Sequence, residues 1–104
     1  MTADDKIAQI QQIEQKLQQL LMQKHTYQNE LVEVESAEKA LEDTKTAYRI
    51  IGSIMVELPN EKIAEELKEK EEEAKLRIKS LDKQEESLRS QAKKLQEDVL
   101  KNIE

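Results

Sequence analysis

The sequence predicts a mostly α-helical fold, a long antiparallel two-helix coiled coil with a β-hairpin at its centre. Two stretches of matching length carry heptad spacing, and the short apolar segment between them holds the chain's one glycine. Composition is the third observation. Of the 104 residues, 38% are charged and 2% aromatic, too few large apolar groups for a compact core but suited to helices with a periodic apolar stripe. The expected chain is elongated, with residues 1–104 forming a single domain.

The first helix is expected over about residues 4–45. Thr2 and Asp5 stand at capping-box spacing, with Asp in the usual Glu place, so the first free amides find acceptors near the start. Ile10, Ile13, Leu17, Leu20, Lys24, Tyr27, Leu31, Val34, Glu38 and Leu41 then alternate spacings of three and four, the a and d positions of a heptad. Lys24 and Glu38 are its polar interruptions. At roughly 1.5 Å per residue such a helix is on the order of 60 Å long, which no small globular core could bury.

The hairpin is expected over about residues 47–58. From Tyr48 to Leu58 the chain reads Y-R-I-I-G-S-I-M-V-E-L, where β-branched and aromatic residues crowd together around Gly52-Ser53. Gly at the first central position suits a two-residue type II′ turn, because it takes a positive φ without a Cβ clash. Ile51 then faces Ile54, Ile50 faces Met55, Arg49 faces Val56 and Tyr48 faces Glu57. Apolar side chains fall on both faces and unpaired backbone on both edges, so the hairpin is expected to be completed by hairpins of other chains. Tyr48, Ile50, Ile51, Gly52, Ile54, Met55 and Val56 are the candidate assembly residues. The other reading is a simple chain reversal, which a short polar loop would also achieve.

The second helix is expected over about residues 60–103. Pro59 ends the strand, and Asn60 is placed to accept hydrogen bonds from the first free amides. Glu61, Glu65 and Glu66 suit the positive helix end. Its seam reads Ala64, Leu67, Glu71, Ala74, Ile78, Leu81, Glu85, Leu88, Ala92, Leu95, Val99 and Asn102. Two such helices should fold back on each other, with facing residues whose numbers sum to about 105. Ile13 then meets Ala92, Leu17 meets Leu88, and Lys24 lies a layer from Glu85, close enough for an ion pair that fixes register. The charge run Lys68 to Glu73 reads as a solvated face with pairs such as Glu66 with Lys70.

Catalytic chemistry is not in view. One Gly precludes a phosphate-cradling loop, and His25 has no second His and no Cys for a metal site. The carboxylates are interleaved with Lys on exposed helix surfaces, and no serine has a histidine partner. The expectation is no enzyme, no cofactor and no metal. A net charge of -6 argues against nucleic acid and anionic membranes as partners, and the basic stretch Lys75, Arg77, Lys79 and Lys83 lacks aromatics to stack bases. The absence of Cys, of a basic-then-apolar leader and of a long apolar run leads to a soluble, cytoplasmic expectation.

Ile7, Leu100 and Ile103 fall off the seam, at e, b and e positions, where the helical hairpin is open. They form, with Ile10, a candidate sticky tip. The alternative is fraying ends with scattered apolar residues.

The order helix, Y-R-I-I-G-S-I-M-V-E hairpin, N-E-K-I-A-E-E-L-K-E-K, then R-I-K-S-L-D-K-Q-E-E-S-L resembles the β-class subunits of prefoldin, archaeal type, over nearly the whole chain. Tyr48, Gly52 and Ile54 to Val56 match the family's Tyr-(Lys/Arg)-x-(Val/Ile)-Gly and following apolar strand. Leu81-Asp82-Lys83-Gln84-Glu85 matches its second-helix signature, while the linker from Glu42 to Ala47 departs by lacking the usual Pro. The resemblance implies a jellyfish-like hexamer of two α-class and four β-class subunits, with hairpins in an intersubunit β-barrel and coiled coils as tentacles. It implies an ATP-independent chaperone (holdase) whose tips, here Ile7, Ile10, Leu100 and Ile103, hold nonnative polypeptides and pass them to a group II chaperonin. Competing with it are a structural coiled-coil spacer that uses the hairpin to oligomerise without binding clients and, more distantly, a nucleic-acid-binding helical arm.

Overall fold

The computed structural model describes residues 2–103, with side chains described for residues 2–102. Four elements follow one another: α1 (Ala3–Leu41), β1 (Thr46–Ile51), β2 (Ile54–Pro59) and α2 (Asn60–Ile103). The fold is thus mostly helical with a central antiparallel hairpin, as the heptad spacing and the Gly-Ser turn predict.

The capping box forms at the start of α1. Asp5 N–H donates to Thr2 Oγ1 at 3.1 Å, and Thr2 N–H donates back to Asp5 Oδ2 at 3.2 Å. At the other end the helix stops at Leu41 rather than near residue 45. Glu42 N–H donates to the Lys39 carbonyl and Thr44 N–H to the Leu41 carbonyl, both at 3.2 Å, bonds that reach back three residues and tighten the last turn. Asp43 and Thr44 are weak helix formers, so the chain leaves the helix where propensity drops.

The chain divides into two compact units. In the unit of Met1–Thr26 with Ile78–Glu104, Ile13, Leu81, Ala92 and Val99 are buried, and Leu17, Leu20, Leu88 and Leu95 are half-buried. Ion pairs give its direction: Lys6 Nζ lies 3.9 Å from Asp98 Oδ2, and Lys24 Nζ lies 3.6 Å from Glu85 Oε2, so the two helical segments run antiparallel. The expected pairing of Lys24 with Glu85 is therefore present. Its shorter contact is Asp82 Oδ1 at 2.6 Å, an off-seam residue that the heptad reading did not single out.

The unit of Tyr27–Arg77 contains the hairpin and the helical segments on either side of it. Val34, Ala47 and Ala74 are its buried residues, with Leu31, Ile63 and Leu67 half-buried. Small and large side chains share the seam, which lets facing rows interdigitate. Three expectations are corrected here. Ala64 is exposed, and Ile63 takes the inward place, because the first turn of α2 also borders the hairpin and the larger side chain fills that space. Asn60 is itself the first residue of α2, and its Nδ2 donates to the carbonyl of Leu41 at 3.0 Å and to that of Thr44, adding to the bonds that close the end of α1. Glu66 has Arg49 of β1 as its ion partner at 2.7 Å, where Lys70 was expected.

Candidate interaction surfaces

Gly52 and Ser53 connect β1 to β2, and the pairing is Ile51 with Ile54, Ile50 with Met55, Arg49 with Val56 and Tyr48 with Glu57, extending to Ala47 with Leu58 and Thr46 with Pro59. The φ of Gly52 is +62°, and no described residue other than Gly has a positive φ. Ser53 therefore lacks the positive φ of a type I′ turn, which leaves the type II′ turn that Gly-Ser predicts.

Alternation along the strands separates two faces. Ala47, Arg49 and Ile51 share one with Leu58, Val56 and Ile54. That face is anchored at its base, where Ala47 is buried and Leu58 half-buried, and Arg49 reaches α2 through Glu66. Toward the turn it opens: Ile51 and Ile54 are both exposed. The opposite face presents Tyr48, Ile50 and Met55, which are 60%, 71% and 66% exposed. Among the described residues the sheet has these two strands alone, so each strand leaves one edge unpaired. All seven candidate assembly residues thus lie on one hairpin, six of them exposed and Val56 half-buried.

The candidate tip residues differ among themselves. Ile7 is 41% exposed and Leu100 62% exposed, in the unit where Lys6 and Asp98 approach each other. Ile10 is half-buried, as its seam position requires, and offers less surface to a partner. The side chain of Ile103 lies outside the described residues. Leu21, Met22, Val32 and Leu76 are also exposed apolar residues. Their departure from the spacing of three and four was the available signal, but single off-seam apolar residues are common on helices and carry little information by themselves.

Lys24 and Glu85 on the seam are bonded rather than bare. The Asp82 carboxylate, hydrogen-bonded to Lys24, holds that ammonium above the usual lysine range, with Glu85 adding to the effect and partial burial opposing it. Glu85 also accepts from Arg89, at 3.1 Å from Nη2. His25 is exposed. No helix of the described residues is long and apolar enough to cross a membrane.

A family model described as "Prefoldin subunit" matches residues 4–104. The chain is 36% identical over 98 residues to the prefoldin subunit beta of Methanosarcina acetivorans, covering 91% of this chain and 84% of the relative. Against the prefoldin subunit beta of Pyrobaculum islandicum it is 33% identical over 103 residues, covering 95% of this chain and 82% of the relative. The crystal structure of the prefoldin beta subunit from Thermococcus strain KS-1 matches with a TM-score of 0.91 at 28% identity, over 96% of this chain and 90% of that one. Whole-chain likeness, in sequence and in the helix–hairpin–helix order around Gly52, leads to one assignment: the chain belongs to the prefoldin family of chaperone subunits, among its archaeal-type β-class members.

Proposed function

We propose that this chain is the β-class subunit of an ATP-independent holdase, a cytoplasmic hexamer of two α-class and four β-class chains. Its hairpin joins those of the other subunits in a β-barrel. The ends where α1 begins and α2 finishes hold nonnative polypeptides for transfer to a group II chaperonin. The observation that carries this reading is the hairpin itself. A two-stranded sheet is marginal in water, and this one keeps Tyr48, Ile50 and Met55 exposed beside unpaired edges. Neighbouring hairpins would pair those edges and cover that face. Ile7 and Leu100, exposed in the helical unit that contains both chain ends, supply apolar surface of the kind a denatured chain also exposes.

The test combines assembly and protection. Mixed with an α-class prefoldin subunit, the chain should give a species of hexamer mass, and near-stoichiometric amounts of it should keep a chemically denatured client soluble on dilution without ATP. A hexamer that leaves client aggregation unchanged would identify a structural spacer instead.

A further inference from the structure

Glu38 occupies a seam position of α1 where the heptad favours an apolar residue, and Glu71 does the same on α2. Both are half-buried in the Tyr27–Arg77 unit, and they line one cavity together with Glu35, Lys39 and Glu42. Ionised carboxylates only accept hydrogen bonds, so a bond between two of them requires a proton on one. The surroundings decide which. Glu71 Oε1 already accepts from Lys75 Nζ at 2.7 Å, which favours its ionised form. Glu38 carries a buried oxygen, Oε1, with no hydrogen-bond partner, a poor place for negative charge.

We propose that Glu38 and Glu71 share one proton, carried by Glu38, and so form a pH-sensitive clasp between α1 and α2 beside the hairpin. Around the pair stand Glu35 and Lys39 from α1, Glu42 from the turn that follows it, and Lys68 and Lys75 from α2. The bond to Glu71, then burial, then the charges of Glu71 and Glu35 push the Glu38 pKa above the usual carboxylate range, with Lys75 opposing. The bond from Lys75, then that from Glu38, hold Glu71 below that range against its own burial. Glu38 stabilises the folded chain fully below the ordinary glutamate pKa, and that contribution is lost as pH rises through its raised value. Glu71 contributes above the ordinary value and loses its effect as pH falls through its lowered one. The clasp is therefore tightest in the mildly acidic window between the two and loosens toward neutral and alkaline pH.

Carboxyl 13C NMR titration of the full chain reads this directly. Glu38 should titrate above the exposed glutamates, and in Glu71→Gln, where an amide donor faces it, its midpoint should fall back toward them. Thermal melts followed by circular dichroism give an independent readout. Glu38→Gln, a permanently neutral donor, should melt higher than the unaltered chain at pH 7.5 and show a flatter dependence of melting temperature on pH from 5 to 8. Glu38 titrating together with the exposed glutamates would overturn the proposal, and so would an undiminished pH dependence in Glu38→Gln.

Discussion

Gly52 has a φ of +62°, and a Cβ built on it would meet nothing within 4 Å. Substitution there is free of clash and costs the positive φ alone, about 1–3 kcal/mol for Ala and less for Asn, which with Gly and Asp dominates the primed turns. Gly52→Ala should therefore melt below Gly52→Asn in circular dichroism; identical melts would mean that the turn does not hold its positive φ in solution. Lys24 is the other residue whose role is local and specific. A cation on the seam, 2.6 Å from Asp82 and 3.6 Å from Glu85, loses both partners if the helices slide by a heptad. Polar seam residues fix register at a cost in stability, and here Glu85 keeps Arg89 if Lys24 is removed. Lys24→Leu should raise the melting temperature while broadening the distribution of species in sedimentation velocity. A lowered melting temperature would show that the ion pairs stabilise more than their desolvation costs.

Among the elements, the hairpin was the most legible in the sequence. One Gly fixes the turn, the turn fixes the register, and a period of two then assigns every side chain to a face. Its pairing follows the expected ladder residue for residue. Replacing Ile51 and Met55 by Lys puts a charge on each face of the hairpin, at positions that are already exposed and not needed for the helices. Ile51→Lys with Met55→Lys should give smaller species by sedimentation and leave helicity intact. An undiminished assembly would remove the hairpin from the interface. Helix ends were less legible than the hairpin: α1 finishes at Leu41 because backbone bonds reaching back three residues and the Asn60 amide take up its last carbonyls. A heptad pattern gives no warning of such a stop, since Leu41 is itself a seam residue.

At the scale of the whole molecule, the proposed function assigns capture and assembly to different residues. The proposed client-binding end uses Ile7 and Leu100, both exposed, together with Ile103, whereas Ile10 is committed in part to the seam. Each apolar contact with a client is weak, at about 25 cal/mol per Å² removed from water. Several subunits acting on one client would raise affinity through effective concentration and still release it. The triple variant Ile7→Ser, Leu100→Ser, Ile103→Ser should lose aggregation suppression several-fold, measured by light scattering, with hexamer mass and helicity unchanged. Full protection by that variant would move client binding elsewhere, with the exposed Leu21, Met22, Val32 and Leu76 as the next surfaces to test.

The sequence by itself determined what depends on near neighbours: the two heptad helices, the capping box of Thr2 and Asp5, the Gly52 turn and the strand ladder it dictates. These are periodicities and short-range bonds, and each is complete within a few residues of chain. Tertiary structure alone decided which distant group meets which. It set Arg49 against Glu66, turned the Asn60 amide onto the end of α1, brought Asp82 to Lys24, chose Ile63 over Ala64 and placed Glu38 against Glu71. A long polar side chain has several partners within reach of any one seam position, and the seam spacing is the same for all of them. The choice is made by the rotation and stagger of one helix against the other, which no local pattern encodes.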